Sequence, residues 1–279
     1  MKKASVLIST VLLSASLVGC GSAANNSSNS GSSSGAGNSA AGSDTIHVAA
    51  DTTFPPFETE KNGQVTGFDI DMINAIAKQE HLKVDLKTMD FKGLIPALQA
   101  DQIDVAVAGI TIKSSREKVV NFSNAYYKSG LSILVKSNST VKSLDDLKGK
   151  IVATKKGTSS VDILNKHGGI TVKQFDNIDD AYNELENGGA QAVVFDNPVN
   201  LNFMSSHKDV KTVGGLLTGE YYGIAVRKDN ADLLKKINDG LKKIQADGEY
   251  AQLFKKYFGD DKNGQVSKVV SPDSVAIHD

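Results

Sequence analysis

A double alternation between short apolar runs and helically spaced apolar residues runs through this chain. Residues 46–50 read as a strand, 67–79 as a helix with Ile70, Ile73, Ile76 and Ala77 on one side, and 83–87 as a strand. Asn62-Gly63 reads as a hairpin turn in the first loop. A helix over 92–100 and a Val- and Ala-rich strand over 103–108 close the unit. The same order then returns at 150–154, 159–166, 171–175, 178–186 and 191–195. Two successive βαβαβ units predict an α/β fold of two lobes, with mainly parallel sheets and right-handed crossovers.

Two long β-prone runs, 126–135 and 221–226, carry the chain between the units and back. Helices over 233–245 and 250–257 then fall to the first lobe, which becomes discontinuous. The expected division is lobe 1 at 44–127 and 225–279 and lobe 2 at 128–224. Lobes joined by two hinge strands suit closure around a ligand. The tail after Gly259 shows little periodicity and reads as loosely ordered.

Composition narrows the function. Lys and Arg number 31 against 32 Asp and Glu, interspersed without a single-sign block, so nothing asks for nucleic acid. His47, His81, His167, His207 and His278 are dispersed without metal-ligand spacing. No phosphate loop, nucleophile elbow or dinucleotide fingerprint occurs, so no cofactor is expected. Asp69 and Asp71 near a helix start read as partners of its dipole. Asp261-Lys262-Asn263-Gly264 reads as a turn.

The N-terminus adds a compartment. Met1-Lys2-Lys3 is a basic head, and residues 4–18 form an apolar stretch too short to span a bilayer comfortably. Leu17-Val18-Gly19-Cys20 resembles a bacterial lipobox. That resemblance implies a signal peptide over 1–19 and a lipidated Cys20, the chain's single cysteine, as mature N-terminus. Residues 20–43 are nearly all Gly, Ser, Asn and Ala beyond the cysteine, a flexible tether.

In open α/β sheets ligands bind beyond the carboxyl ends of strands. Those ends carry Asp51-Thr52-Thr53-Phe54, Asp90-Phe91 and Ala108-Gly109-Ile110-Thr111, with Arg116 just after. The second unit supplies Lys155-Lys156-Gly157-Thr158-Ser159, Asp176-Asn177 and Asp196-Asn197. Arg116 reads either as an exposed arginine in a helix's first turn or as a fork for a ligand carboxylate. Gly109 would allow close backbone approach, and Thr111 could complete such a site. Asp196 is either a loop or capping residue or an acceptor for an α-ammonium group. Phe54 and Phe91 belong to the core or wall the cleft.

A family pattern then emerges. Ala50-Asp51-Thr52-Thr53-Phe54-Pro55-Pro56-Phe57-Glu58, Gly67-Phe68-Asp69-Ile70-Asp71, Met89-Asp90-Phe91 and Leu94-Ile95-Pro96-Ala97-Leu98 occur in order. Ala108-Gly109-Ile110-Thr111, Arg116 and Tyr126-Tyr127-Lys128-Ser129-Gly130 follow. From Thr45 to Gly259 the chain resembles the family 3 extracellular solute-binding proteins of amino-acid ABC transporters, its glutamine-binding members above all. The resemblance implies a periplasmic-binding-protein-like (type II) fold, an amino-acid ligand, and a permease and membrane as partners. It implies a monomer anchored on the outer face of the cytoplasmic membrane. It assigns the α-carboxylate to Arg116 and the 109–111 loop, and the α-ammonium to Asp196 with the Gly109 backbone. Phe54 and Phe91 become an aromatic clamp, Thr158 and Ser159 line the second lobe, and Asp51 and Lys155 read a side-chain carboxamide. Phe195 departs from the glutamine-binding pattern, which has histidine there. The alternatives are a bilobed enzyme such as a dehydratase, which would need a general acid or base against the ligand, and an adhesin or sensor.

Overall fold

The computed structural model describes residues 44–278. The signal peptide, Cys20 and the tether expected over 20–43 lie outside the described residues.

Elements are numbered in chain order. β1 (Thr45–Ala50) leads into a small antiparallel sheet of β2 (Thr53–Phe54), β3 (Glu58–Lys61) and β4 (Gln64–Thr66). The β3–β4 connection is the expected Asn62-Gly63 turn, both residues at positive φ as a two-residue hairpin requires. α1 (Phe68–Gln79), β5 (Lys83–Thr88), α2 (Phe91–Gln99) and β6 (Val105–Ala106) complete the first βαβαβ unit. After α3 (Ser114–Glu117) and β7 (Val120–Phe122), β8 (Tyr127–Ser129) crosses to β9 (Leu131–Lys136). The second unit is β10 (Ile151–Lys155), α4 (Ser159–His167), β11 (Thr171–Phe175), α5 (Ile178–Glu186) and β12 (Ala192–Asp196). Beyond α6 (Asn197–Ser206) and β13 (Val210–Val213), β14 (Glu220–Tyr222) returns to β15 (Ala225–Arg227), then α7 (Ala231–Ala246) and α8 (Glu249–Phe258) follow.

The two units build two lobes of matching plan. One sheet runs β5-β1-β6-β15-β7 and the other β11-β10-β12-β9-β13. In each, the βαβαβ strands are parallel, and the strands contributed around the crossings pair antiparallel beside them. β12 is buried along its whole length, which accounts for its unbroken apolar run, whereas the edge strand β5 keeps its lysines outward. α1 turns Phe68, Ile70, Met72, Ile73 and Ile76 inward, and α7 and α8 pack against it, as their spacing predicted.

The crossings are the hinge. Each β-prone run breaks into two strands: β8 and β14 pair with each other, while β9 and β15 enter the two large sheets. Behind them Tyr127 stacks on Tyr222 at 5.5 Å, and Phe57, Phe254 and Phe258 pack around Tyr127. Such pairs contribute about 0.5–1.5 kcal/mol each beyond their buried area. The tail differs from expectation. It is a strap, with one 3-10 turn at Pro272–Ser274, whose residues bridge to Tyr127 and Lys113, held by backbone bonds that leave no periodic signature.

Candidate ligand-binding site

The first lobe supplies a loop held from beneath. Gly109 has φ +52°, and a Cβ there would lie 2.2 Å from the Phe54 ring, so only glycine fits. Its N–H donates to Asp69 Oδ2 at 2.8 Å, and the Tyr126 hydroxyl donates to the same oxygen at 2.7 Å. Asp69 is therefore a buried prop for this loop, beyond any role at the helix dipole. Burial pushes its carboxyl up to about 7, against the pull of these two donors. Glu58 beside it is raised well above its ordinary value by burial and then by the Asp69 charge. Asp71 faces outward to Lys256 and Tyr257.

Arg116 is buried, which disposes of the exposed-arginine reading. Its Nη1 donates to the Thr111 carbonyl at 2.8 Å and its Nη2 to the Gly157 carbonyl of the second lobe at 2.9 Å. The guanidinium lies 5.4 Å from the Phe91 ring centroid. The Thr111 hydroxyl donates to Glu220 Oε2 at 2.7 Å.

The second lobe closes the other wall. Lys155, at the end of β10, is almost wholly buried, and its Nζ donates to Asp51 Oδ2 at 2.5 Å and to Thr53 Oγ1 at 2.7 Å. Asp51 also accepts the Thr53 and Phe91 N–H groups. Thr158 donates to the Lys155 carbonyl at 2.7 Å, and Ser159 to Glu220 Oε2 at 2.9 Å. Asp196 makes no cap to α6; it accepts from the Tyr222 hydroxyl. Burial first, and the Glu220 charge second, push Asp196 up to about 7.

Phe54, Phe91, Gly109, Thr111, Arg116, Lys155, Thr158, Ser159 and Asp196 line one cavity between the lobes, joined by Phe195. Its volume is about 10 Å³, roughly one water. Two expected residues stand outside the lining. Ala108 points into the core, because it sits among the apolar residues under α2, and Asp51 lies one layer out behind Lys155. Glu220 and Tyr222 were missed; both are buried on the hinge strand β14. The alternation of strand side chains puts residues i and i+2 on one face and could have shown them. Among the described residues no cluster of His, Cys, Asp and Glu is arranged for a metal ion.

A guanidinium, an ammonium, two carboxylates, hydroxyls and aromatic walls facing one another across a hinge define a two-lobed binding protein for a small polar solute. The chain belongs to the bacterial extracellular solute-binding proteins, family 3, whose sequence profile matches residues 46–260. It is 37% identical over 219 residues to the ABC transporter glutamine-binding protein GlnH of Bacillus subtilis (strain 168), covering 77% of this chain and 80% of that one. An ancestral arginine-binding protein has been solved bound to arginine and bound to glutamine. The two structures share 46% and 47% identity with this chain, each with a TM-score of 0.74, covering 77% of this chain and 98% of theirs. The family is one of solute binders working outside the cytoplasm, so the chain is a binding protein and not an enzyme.

Proposed function

We propose that this chain is the substrate-binding lipoprotein of an amino-acid ABC importer, and that it carries glutamine to the membrane permease. Arg116 and the 109–111 loop hold the α-carboxylate; Asp196, with the Gly109 carbonyl, holds the α-ammonium. Phe54 and Phe91 wall the side chain, and Thr158 and Ser159 line the second lobe.

The observation that carries the choice of glutamine is the buried Lys155–Asp51 pair across the lobes. Burying an ion pair gains little stability, because desolvation offsets much of the attraction, so the pair is better understood as a recognition element. A carboxamide that separates the pair as the lobes part would donate N–H to Asp51 in place of Lys155 and accept from the Lys155 ammonium. Glutamate would set a carboxylate against Asp51, and arginine would bring its cation against Lys155. The glutamine-binding relative supports the same reading.

The importer needs its binding protein at the membrane. The segment 1–19 serves as the signal peptide, Cys20 carries the lipid, and 20–43 tether a monomer whose lobes comprise 44–127 with 225–279 and 128–224. One acyl chain anchors only marginally, so more than one is required. Asp51→Asn tests the side-chain assignment: it should narrow the preference for glutamine over glutamate, measured by calorimetry. An unchanged preference would remove Asp51 from the recognition of the side chain.

A further inference from the structure

The strap formed by the C-terminal residues reaches the segment that carries Arg116. Gly264 starts it, packed so close to Tyr127 that a Cβ would lie 2.2 Å from the ring. Val266 is buried, its N–H donating to the Tyr250 hydroxyl at 3.2 Å and its carbonyl accepting from Gln245 at 3.1 Å. The Val270 carbonyl accepts the Ala125 N–H at 2.9 Å. Ile277 then pairs with the chain leading into α3. Its N–H donates to the Ile112 carbonyl at 3.2 Å, and its carbonyl accepts the Ser114 N–H at 3.0 Å.

Ser114 has the spacing of a helix-capping residue before Glu117, yet it caps nothing. Its hydroxyl donates to the Ile277 carbonyl at 3.3 Å and lies 2.7 Å from His278 Nδ1. Val270, Val275 and Ala276 pack on the same apolar cluster as Ile110 and Ile112. α3 has only four residues, one turn, too short to hold its own position. Thr111 and Arg116 flank the stretch that the strap clamps.

We infer that residues 270–278 are a positioning element of the binding site: they fix the Ile112–Ser114 backbone, and through it Thr111 and the Arg116 guanidinium. Affinity for the ligand's α-carboxylate then depends on a segment that touches no ligand. The inference rests on the reading of Arg116 and Thr111 as the carboxylate clamp.

Two variants test it: a chain ending at Lys268, and full-length Ile277→Pro, which removes the donor to the Ile112 carbonyl while leaving the rest of the strap. Glutamine, arginine and histidine are first titrated into the full chain to find the best ligand. That amino acid, its α-carboxamide derivative and a side-chain analogue (glutamate where glutamine binds best) are then titrated into each variant, with thermal melting as the check on folding. Both variants should bind the amino acid roughly tenfold more weakly, the cost of one mis-set charge-assisted hydrogen bond. The preference for carboxylate over α-carboxamide should narrow by a similar factor, and discrimination at the side chain should hold. A general loss of structure would weaken both discriminations together, and that result overturns the inference, as does unchanged affinity. Should the truncated chain fail to fold, Ile277→Pro decides. Binding of arginine or histidine in place of glutamine corrects the ligand and leaves the strap testable with that ligand. Binding of none of them by the full chain overturns the function itself.

Discussion

On the proposed function, Asp196 is the residue whose chemistry should change most when an amino acid binds. In the structure its carboxyl is pushed up to about 7 by burial and by Glu220, against the Tyr222 hydroxyl and the Arg116 charge. An α-ammonium group placed against it favours the ionised form. Binding there should therefore expel a proton near pH 7, and affinity should rise as pH climbs from about 6 to about 8, where the carboxyl is already ionised. Calorimetry in buffers of different ionisation enthalpy reads that proton directly. Asp196→Ala should abolish the release and cost about 2–5 kcal/mol of binding, roughly 30-fold to several thousand-fold. Undiminished proton release in this variant would place the titrating group elsewhere. Folding carries the opposite trend. A carboxyl raised in the folded state favours folding below its unfolded pKa of about 4 and loses that contribution as pH climbs through its folded value. Asp69 and Asp196, both near 7, thus favour the folded state on the acid side of neutrality.

At the scale of elements, β14 does more than return the chain. Glu220 accepts hydroxyls from Thr111 of the first lobe and Ser159 of the second, and from Thr218 within the crossing. Glu220→Ala should orphan these donors, lowering stability by about 1–3 kcal/mol and loosening closure on the ligand. Glu220→Gln keeps an acceptor oxygen but removes the like charge, so it should lose less stability and move the proton release to lower pH. Denaturant unfolding and pH-dependent calorimetry separate the two, and equal behaviour of both variants would contradict the hinge role.

The same element explains what the sequence leaves unread. Strand ends such as Phe91, Thr111 and Lys155 are legible because βαβαβ order fixes where strands end, and ligands gather there. Glu220 and Tyr222 sit on a crossing, where that rule says nothing. Asp69 looks like an ordinary first-turn acid; its burial depends on Gly109 and Tyr126, 40 and 57 residues away. The strap has no repeat because its contacts come from backbone bonds to irregular partners.

Over the whole molecule, the lobes share an apolar cluster, in which Phe54 meets Phe195 edge-on at 5.6 Å, and a set of polar contacts. Lys155 with Asp51, Lys92 with Asp176, Lys113 with Asp162, and Arg116 with the Gly157 carbonyl all span the cleft. The exposed pair Lys92–Asp176 adds little and is screened by salt, so the buried contacts carry the closed form. A cavity of about 10 Å³ cannot admit an amino acid while those contacts stand. On the proposed function, ligand enters as the lobes part and binds by replacing those contacts. Which ligand replaces them best is read by calorimetric titration of the ligand-stripped protein with glutamine, glutamate, arginine and histidine, side by side at one pH and salt. The buried Lys155–Asp51 pair predicts glutamine as the tightest of the four; tighter binding by any of the other three would contradict it.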